Sequence, residues 1–247
     1  MISRIVEYVL PPRCLSCGAQ VLDHGCFCQK CWSRLLPITD PVCKRCGSPQ
    51  EVAPINEEEA CLLCQNRRFS YDQARSAFIY NDVVRTSIMK FKHGDRPEYA
   101  ALLVRLMQFT AQVFLGDQDT IIIPVPVHRT RLWERGYNQT ALLANAFGRQ
   151  TGFRVLVDAL HRRIKTPVQR GSHRQRAENV RGAFVLRASY RDRIERRPVI
   201  LIDDVLTTGA TVDACARALR VGRPSAIYVL TFARVVRTGT ILGNQVI

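Results

Sequence analysis

The chain lacks any apolar run near the ~20 residues that a membrane-spanning helix needs, and its 247 residues include no low-complexity segment. The stretch Ile2–Leu10 is interrupted by Arg4 and Glu7 and is followed by two prolines. It therefore predicts a short amphipathic helix rather than a secretion signal, whose apolar region would be longer and uninterrupted. We expect a cytoplasmic protein with no membrane span.

Acidic residues are also few, with 21 Asp and Glu against 36 Lys and Arg and a formal net charge of +15. Residues 1–70 carry a net charge of only +1, and the rest of the chain carries +14. His161–Arg197 alone holds twelve basic residues and three acids. This density favours a polyanionic partner, with a solvated loop as the alternative. Because residues 1–70 lack a basic excess, a zinc-ribbon transcription factor is disfavoured.

Cysteine is nearly absent outside one region, since nine of the ten cysteines lie between residues 14 and 64. Cys215 stands alone at helical spacing and is expected to be a small core residue. Without a secretion signal, a disulfide framework is disfavoured, because the cytosol keeps thiols reduced. Eight of the nine clustered cysteines form four C-x-x-C knuckles, and two such knuckles complete a four-sulfur zinc shell.

We predict two structural Zn²⁺ ions in consecutive zinc ribbons. Ten residues separate the first two knuckles and fourteen separate the last two. The predicted ligands of the first ion are Cys14, Cys17, Cys28 and Cys31, and those of the second are Cys43, Cys46, Cys61 and Cys64. Spacing alone leaves an interleaved pairing open, and Cys26 is either a bystander or a substitute for Cys28.

The most informative run is Val199–Thr211, which reads V-I-L-I-D-D-V-L-T-T-G-A-T. Apolar residues around Asp203 and Asp204 predict a buried parallel strand. Small hydroxyl-rich residues follow, and then a helix that we expect to end at Gly222 in a left-handed cap. A strand that leads through a small-residue turn into a helix N-terminus forms a phosphate cradle. The two carboxylates suit a sugar diol or a divalent metal.

Strand and helix patterns alternate along the rest of the chain. Predicted strands are Ala74–Tyr80, Thr120–Val127, Phe153–Val157, Ala183–Leu186 and Ala226–Phe232, and predicted helices are Asp82–Phe91, Pro97–Leu115 and Asn138–Gln150 with a stop at Gly152. Asp158–Asn179 lacks periodicity and is predicted to be a mobile loop. The alternation predicts an α/β fold with a parallel sheet. Ligands then bind at the carboxyl ends of the strands, where the acid pair lies.

The run Val199–Thr211 resembles the signature with which type I phosphoribosyltransferases bind phosphoribosyl pyrophosphate: an apolar strand, Asp-Asp, two variable residues and Thr-Thr-Gly-Ala-Thr. The resemblance implies a type I phosphoribosyltransferase-like parallel sheet with helices on both faces. We therefore predict a double zinc-ribbon domain over residues 1–70, a phosphoribosyltransferase-like domain over 71–237 and a tail over 238–247.

Blocks along nearly the whole chain together resemble the ComF family, which includes GntX-type members. The blocks are the four knuckles, Phe91-Lys92-His93-Gly94, P-V-P-V-H-R-T-R-L-W-E-R-G-Y-N-Q at 124–139, and the run from Thr166 through Phe184 to the acid pair. The resemblance implies a competence-associated protein that brings in or uses external single-stranded DNA. A DNA-uptake channel or a helicase is a possible partner of such a protein.

The resemblance also implies roles for individual residues. Asp203 and Asp204 would hold the ribose hydroxyls and Mg²⁺, and would form the catalytic centre. Substrate-binding roles would fall to Val125, Pro126, Val127 and His128 as the pyrophosphate loop, to Arg129, Arg131 and Arg135 as contacts to pyrophosphate or DNA, and to Thr207, Thr208, Gly209, Ala210 and Thr211 around the 5-phosphate. Thr166–Arg181 would be a flexible loop that closes over the site. For Lys92 and His93, a structural role is favoured over contact with the ligand.

Two functions are compatible with these residues. One is Mg²⁺-dependent transfer of a phosphoribosyl group with release of pyrophosphate, either beside a DNA role or, as the alternative, in a nucleotide-salvage enzyme that acts on a free base and has no DNA role. The other is DNA handling in which the pocket binds phosphoribosyl pyrophosphate without turnover. Purine-salvage members of the fold place a carboxylate where this chain has Thr207. A general base would therefore have to come from elsewhere or from the acceptor.

Overall fold

A five-stranded parallel sheet forms the centre of the protein in the computed structural model, which describes residues 11–52, 61–65, 67–93, 98–127, 137–163 and 182–236. The strands in chain order are β1 (Gln73–Ile79), β2 (Ile121–Pro124), β3 (Arg154–Val155), β4 (Leu160–Arg162), β5 (Phe184–Leu186), β6 (Pro198–Leu206) and β7 (Ala226–Arg234). The sheet has the order β1-β7-β6-β2-β3, and every neighbouring pair in it is parallel. β6 therefore lies in the middle of the sheet.

Helices cover both faces of this sheet. The helices are α1 (Gln29–Trp32), α2 (Leu62–Gln65), α3 (Asp82–His93), α4 (Glu98–Ala111), α5 (Gln139–Thr151), α6 (Arg191–Ile194) and α7 (Ala210–Arg220), with 3-10 turns at Gln112–Phe114 and Ala188–Tyr190. Successive strand residues point to opposite faces. Ile122 and Ile200 pack with α3, α4 and α5, and Ile121 and Val199 pack with α7.

The predicted α/β architecture is confirmed: a parallel sheet with helices on both faces, preceded by a small cysteine-rich module. Burial on both faces explains why the strand segments read as near-continuous apolar runs. The predicted boundaries at residues 70 and 237 stay predictions, and the stretches Ile2–Leu10 and 238–247 lie outside the described residues.

Residues at the two ends of α5 predicted its bounds correctly. The side chain of Asn138 accepts hydrogen bonds from the amides of Thr140 and Ala141 and so caps the helix. Gly152 follows the helix with φ of 79°, in the left-handed region that glycine enters without strain. Both ends of this helix were predicted from single residues.

Two sequence predictions are wrong. Leu160–Arg162, predicted to be loop, is a strand, and it pairs antiparallel with Phe184–Leu186 in a separate two-stranded sheet. A three-residue strand shows no periodicity by itself, so only the partner strand reveals it. Gly222 does not adopt the left-handed conformation, which falls on Arg223 with φ of 54°. Gly222 instead lacks room for a side chain, because a Cβ there would lie 2.5 Å from Cδ1 of Ile194.

The cysteine-rich module attaches to the outer edge of β1. The amide of Ile38 donates to the carbonyl of Ala77 (2.9 Å), and the amide of Ile79 donates to the carbonyl of Leu36 (2.8 Å). These hydrogen bonds cover an edge that would otherwise be open to pairing with another chain. The module is thus joined to the sheet by backbone hydrogen bonds.

Among the described helices, none combines the length and the apolar character that a bilayer crossing requires.

Candidate functional site

The acid pair lies near the carboxyl end of β6. Asp203 is partly buried and Asp204 is 9% exposed, and the amide of Asp204 donates to Oδ1 of Asp203 at 2.9 Å. Burial, and then the neighbouring charge of Asp204, raise the pKa of Asp203 to about 8. Both effects favour the protonated form of Asp203.

Lys92 provides a cation for this pair. It lies in the last turn of α3, and its Nζ forms an ion pair with Oδ2 of Asp204. The two side chains are 25% and 12% exposed, so the ion pair is shielded from most solvent. The sequence favours a structural role for Lys92, although the block Phe91-Lys92-His93-Gly94 is part of the family resemblance. A residue 112 positions away from its partner carries no local signal of the contact.

The small-residue segment Thr207–Thr211, called here the TTGAT turn, follows the acid pair directly. Gly209 has φ of 74° and immediately precedes α7, whose first residue is Ala210. The hydroxyl of Thr208 accepts a hydrogen bond from the amide of Ala210 (3.4 Å). The observed order of strand, turn and eleven-residue helix is the predicted arrangement. Amides in the first turn of a helix point toward its N-terminus, where an anion can accept hydrogen bonds from them.

The segment Val125–Val127 lies beside the acid pair. The amide of Val125 donates to the carbonyl of Ile202 (2.9 Å), and the carbonyl of Val125 accepts from the hydroxyl of Thr140 (2.6 Å). The start of α5 thus holds this segment against the end of β6. Pro126 is buried and Val127 is partly exposed. His128, Arg129, Arg131, Arg135 and the loop Thr166–Arg181 lie outside the described residues, so their contributions stay predictions.

The eight predicted zinc ligands gather into two clusters. Cys14, Cys17, Cys28 and Cys31 form the first cluster, and Cys43, Cys46, Cys61 and Cys64 form the second, with all four sulfurs of each cluster within 4.8 Å of one another. Consecutive pairing is therefore confirmed over interleaved pairing. Cys26 belongs to neither cluster, which leaves Cys28 as the ligand.

Both clusters fit Zn²⁺. Tetrahedral Zn–S bonds of ~2.3 Å place two sulfurs about 3.8 Å apart. The observed Sγ–Sγ distances are 3.6 Å for Cys17 and Cys28 and 3.5 Å for Cys46 and Cys61. For Cys14, burial acts to raise the pKa, but amide hydrogen bonds, led by that of Cys28, outweigh it and lower the pKa to about 6. Burial and hydrogen bonds with the neighbouring cysteines raise the pKa of Cys31 in the same cluster to about 12, so the thiolate is favoured at Cys14 and disfavoured at Cys31.

The arrangement at the end of β6 therefore combines two kinds of recognition. Amides at the start of α7 suit a phosphate, and the carboxylates suit hydroxyl donors or a hard cation such as Mg²⁺. The segment Val125–Val127, which follows the neighbouring strand β2, adds backbone groups. The structure brings Asp203, Asp204, the TTGAT turn and Val125–Val127 to the same end of the sheet, while their roles as ligand contacts stay predictions.

Comparisons with known proteins cover most of the chain. Residues 5–67 match the family described as "Double zinc ribbon domain". The chain is 30% identical over 218 residues to "Competence protein F" of Haemophilus influenzae, covering 84% of this chain and 90% of that protein. It is 28% identical over 211 residues to "Competence protein ComFC" of Bacillus subtilis, covering 84% and 83%. It is 27% identical over 234 residues to "DNA utilization protein YhgH" of Escherichia coli K12, covering 91% and 98%.

Among solved structures, the chain has a partial likeness to the glutamine phosphoribosylpyrophosphate amidotransferase of B. subtilis complexed with ADP and GMP. The TM-score is 0.37 at 17% identity, over 57% of this chain and 30% of that one.

Proposed function

Because this chain belongs to the ComF family, we propose that it acts in the uptake or use of external DNA and binds phosphoribosyl pyrophosphate together with Mg²⁺. The names of its relatives, competence and DNA utilization proteins, support the first part. The second part rests on the site at the end of β6, where an acid pair and a helix N-terminus are separated by the five-residue segment 205–209.

One observation carries the ligand proposal. Asp203 and Asp204 lie in the same strand that leads into the TTGAT turn, so a ligand at this site meets carboxylates at one end and amides at the other. A ribose 5-phosphate unit has the matching groups, since its hydroxyls donate hydrogen bonds and its phosphate accepts them. The segment Val125–Val127, continuing into His128, would receive the pyrophosphate at the opposite end of the ribose.

The residues also indicate what chemistry this chain can support. Bound Mg²⁺ would neutralise the pyrophosphate and so favour its departure from the ribose. Asp203 and Asp204 would hold the ribose and supply oxygen ligands, while Lys92 pairs with Oδ2 of Asp204. Thr207 offers no carboxylate for proton transfer. An acceptor that already carries a nucleophilic nitrogen is therefore the substrate class for which transfer is proposed.

Calorimetric titration with phosphoribosyl pyrophosphate, with and without Mg²⁺, tests the ligand proposal. We expect saturable binding that strengthens at least about tenfold when Mg²⁺ is present, because the metal offsets repulsion between the carboxylates and the pyrophosphate. Absence of binding under both conditions would reject the ligand. Pyrophosphate release with a panel of free bases then separates turnover from regulatory binding, and product formation without DNA binding would favour the nucleotide-salvage alternative.

A described part of the basic run suits single-stranded DNA. Five arginines that form no ion pair with other described residues lie between β5 and β6: Arg187, Arg191, Arg193, Arg196 and Arg197. They precede β6, and the acid pair lies near its other end, about 20 Å away at ~3.3 Å per residue. We propose that this basic segment contacts DNA phosphates without blocking the nucleotide site. A DNA-uptake channel or a helicase is the proposed protein partner.

Replacing arginines of this segment with uncharged glutamine measures what the segment contributes to DNA binding. We expect the triple variant Arg191→Gln/Arg193→Gln/Arg196→Gln to weaken binding to an unstructured oligonucleotide and to reduce the slope of log affinity against log salt by about 2, at about 0.7 per phosphate contact. The matched control is Arg85→Gln/Arg105→Gln/Arg149→Gln, which removes three exposed arginines from α3, α4 and α5. Equal effects of the two triple variants would show that net charge, rather than this surface, binds the DNA.

A further inference from the structure

The second cysteine cluster and the TTGAT turn lie on the same face of the sheet. Cys43, Cys46 and Cys64 share one buried core with Leu206, Ala210 and Val212. The buried cysteines of the first cluster, Cys14 and Cys31, belong to the core on the opposite face, with α3 and α4. The two clusters therefore have different neighbours, and only the second is packed with residues that flank the proposed phosphate site.

Arg67, three residues after Cys64, links the second cluster to the TTGAT turn. Its Nη1 donates to the carbonyl of Thr208 at 3.0 Å, and its Nη2 lies 4.0 Å from Oδ2 of Asp213 in the first turn of α7. Its guanidinium also lies over the ring of Phe69, 4.5 Å from the centroid. One side chain thus contacts the turn, the helix that follows it and the segment that leads out of the second cluster.

The hydrogen bond to Thr208 has a consequence for anion binding. A trans peptide is planar, so its carbonyl and the next amide point in opposite directions. When Arg67 holds the carbonyl of Thr208, the amide of Gly209 points away from Arg67 and from the cysteine-rich module. Arg67 therefore fixes the direction of a backbone donor within the turn proposed to bind the 5-phosphate.

Further contacts hold the same segment against the turn. The amide of Ser70 donates to Oδ1 of Asp213 at 2.6 Å. Cε1 of Phe69 lies 3.3 Å from the position that a Cβ on Gly209 would occupy. On the other side of the cluster, Nη1 of Arg234, a buried residue at the end of β7, donates to the carbonyl of Cys46 (2.5 Å). The turn and the second cluster are thus connected through both the exit segment and the sheet.

We propose that Arg67 is a positioning residue that couples metal retention in the second cysteine cluster to occupation of the TTGAT turn. The coupling rests on the proposed function, which identifies that turn as the phosphate site. It is reciprocal, because a ligand that stabilises the turn must also stabilise the metal cluster to which the turn is joined. The first cluster, whose cysteines pack on the other face of the sheet, is outside this coupling.

Zinc release to an excess of a chromogenic chelator, followed in time on the full chain, tests the coupling. The release phases are assigned with Cys14→Ser, which disrupts the first cluster, and Cys61→Ser, which disrupts the second. Phosphoribosyl pyrophosphate with Mg²⁺, at about 100 times its dissociation constant, is expected to slow release from the second cluster at least about tenfold. Release from the first cluster should change less than twofold.

The variant Arg67→Gln tests the coupling without phosphoribosyl pyrophosphate. It should speed zinc release from the second cluster alone and weaken binding of ribose 5-phosphate about tenfold, the effect of losing a charged hydrogen bond. The matched control is Arg13→Gln, because Nη1 of Arg13 donates to the carbonyl of Gly18 (3.2 Å) in the first ribbon. That variant should leave both the second cluster and ribose 5-phosphate affinity unchanged.

The outcomes separate this inference from the proposed function. If phosphoribosyl pyrophosphate binds in the calorimeter but protects neither cluster, or both equally, the coupling is overturned and the ligand proposal stands. If it does not bind, the ligand proposal fails. In that case, faster release from the second cluster in Arg67→Gln supports the structural link, and release at the native rate overturns it.

Discussion

The variant Asp203→Asn/Asp204→Asn is expected to bind phosphoribosyl pyrophosphate with Mg²⁺ at least about a hundredfold more weakly than the native chain. The substitution removes both carboxylates while keeping the shape of the side chains. Each carboxylate is a charged acceptor for a ribose hydroxyl or an oxygen ligand for the metal, and such bonds contribute about 1.5–3 kcal/mol each. Titration calorimetry measures the change. If a folded double variant binds with native affinity, the acid pair does not contribute to the site.

The control for this variant is Asp119→Asn, which neutralises an exposed acid in the segment before β2. It changes the net charge by half as much and should leave the affinity within twofold of the native value. A loss of affinity in this control would attribute part of the effect to the overall field of the protein rather than to the site.

The raised pKa of Asp203 gives a separate prediction for the single variant Asp203→Asn. Because burial raises this pKa to about 8, folding favours the protonated form, and native stability falls as pH rises from the unfolded pKa near ~4 toward 8. An asparagine side chain at this position cannot ionise. The melting temperature should therefore fall less for Asp203→Asn than for the native chain when the pH is raised from about 5 to about 9.

Replacing Gly47 with alanine is expected to lower the free energy of unfolding by at least about 3 kcal/mol. Gly47 follows Cys46 with φ of 69°, and a Cβ there would lie 2.3 Å from the carbonyl oxygen of Ala74. The left-handed conformation alone costs an alanine about 1–2 kcal/mol, and the clash with backbone forces the second ribbon away from β1. We expect zinc content to fall from two toward one per chain and the melting temperature to drop by at least about 6 °C.

Gly18 offers a matched control because it occupies the same place in the first ribbon. It follows Cys17 with φ of 81°, but a Cβ there would meet only the flexible end of Lys90, at 3.5 Å. Gly18→Ala should therefore carry the conformational cost alone, about 1–2 kcal/mol, and retain both metals. Equal destabilisation of the two variants would show that the contact between Gly47 and Ala74 is unimportant.

Elements with a complete local signal were predicted correctly from the sequence. The strand, acid pair, TTGAT turn and α7 form one continuous run, so spacing and residue type were sufficient to order them. Asn138 and Gly152 marked the ends of α5 by capping, which also acts between neighbours in the chain. The zinc ligands were predicted correctly for the same reason, since metal geometry restricts the spacing of the two cysteines in each knuckle. Consecutive rather than interleaved pairing of the knuckles, however, required the structure.

The failures share a cause in contacts between distant segments. Leu160–Arg162 became a strand through its partner Phe184–Leu186. The position of Gly222 is explained by a neighbour, Ile194, that lies 28 residues earlier. In both cases the decisive neighbour comes from another segment, and residue patterns within one segment do not report it.

The sequence by itself determined the order of the strands and long helices of the parallel sheet, the eight cysteine ligands of the zinc ribbons and the identity of the acid pair with its adjoining turn. These features depend on interactions within short stretches, whose geometry the residues fix locally. Only the tertiary structure placed Lys92 on Asp204 and Arg67 on the carbonyl of Thr208, 141 positions away in the chain. The parallel sheet decides such contacts, because its crossovers bring the ends of separate strands and helices to one edge.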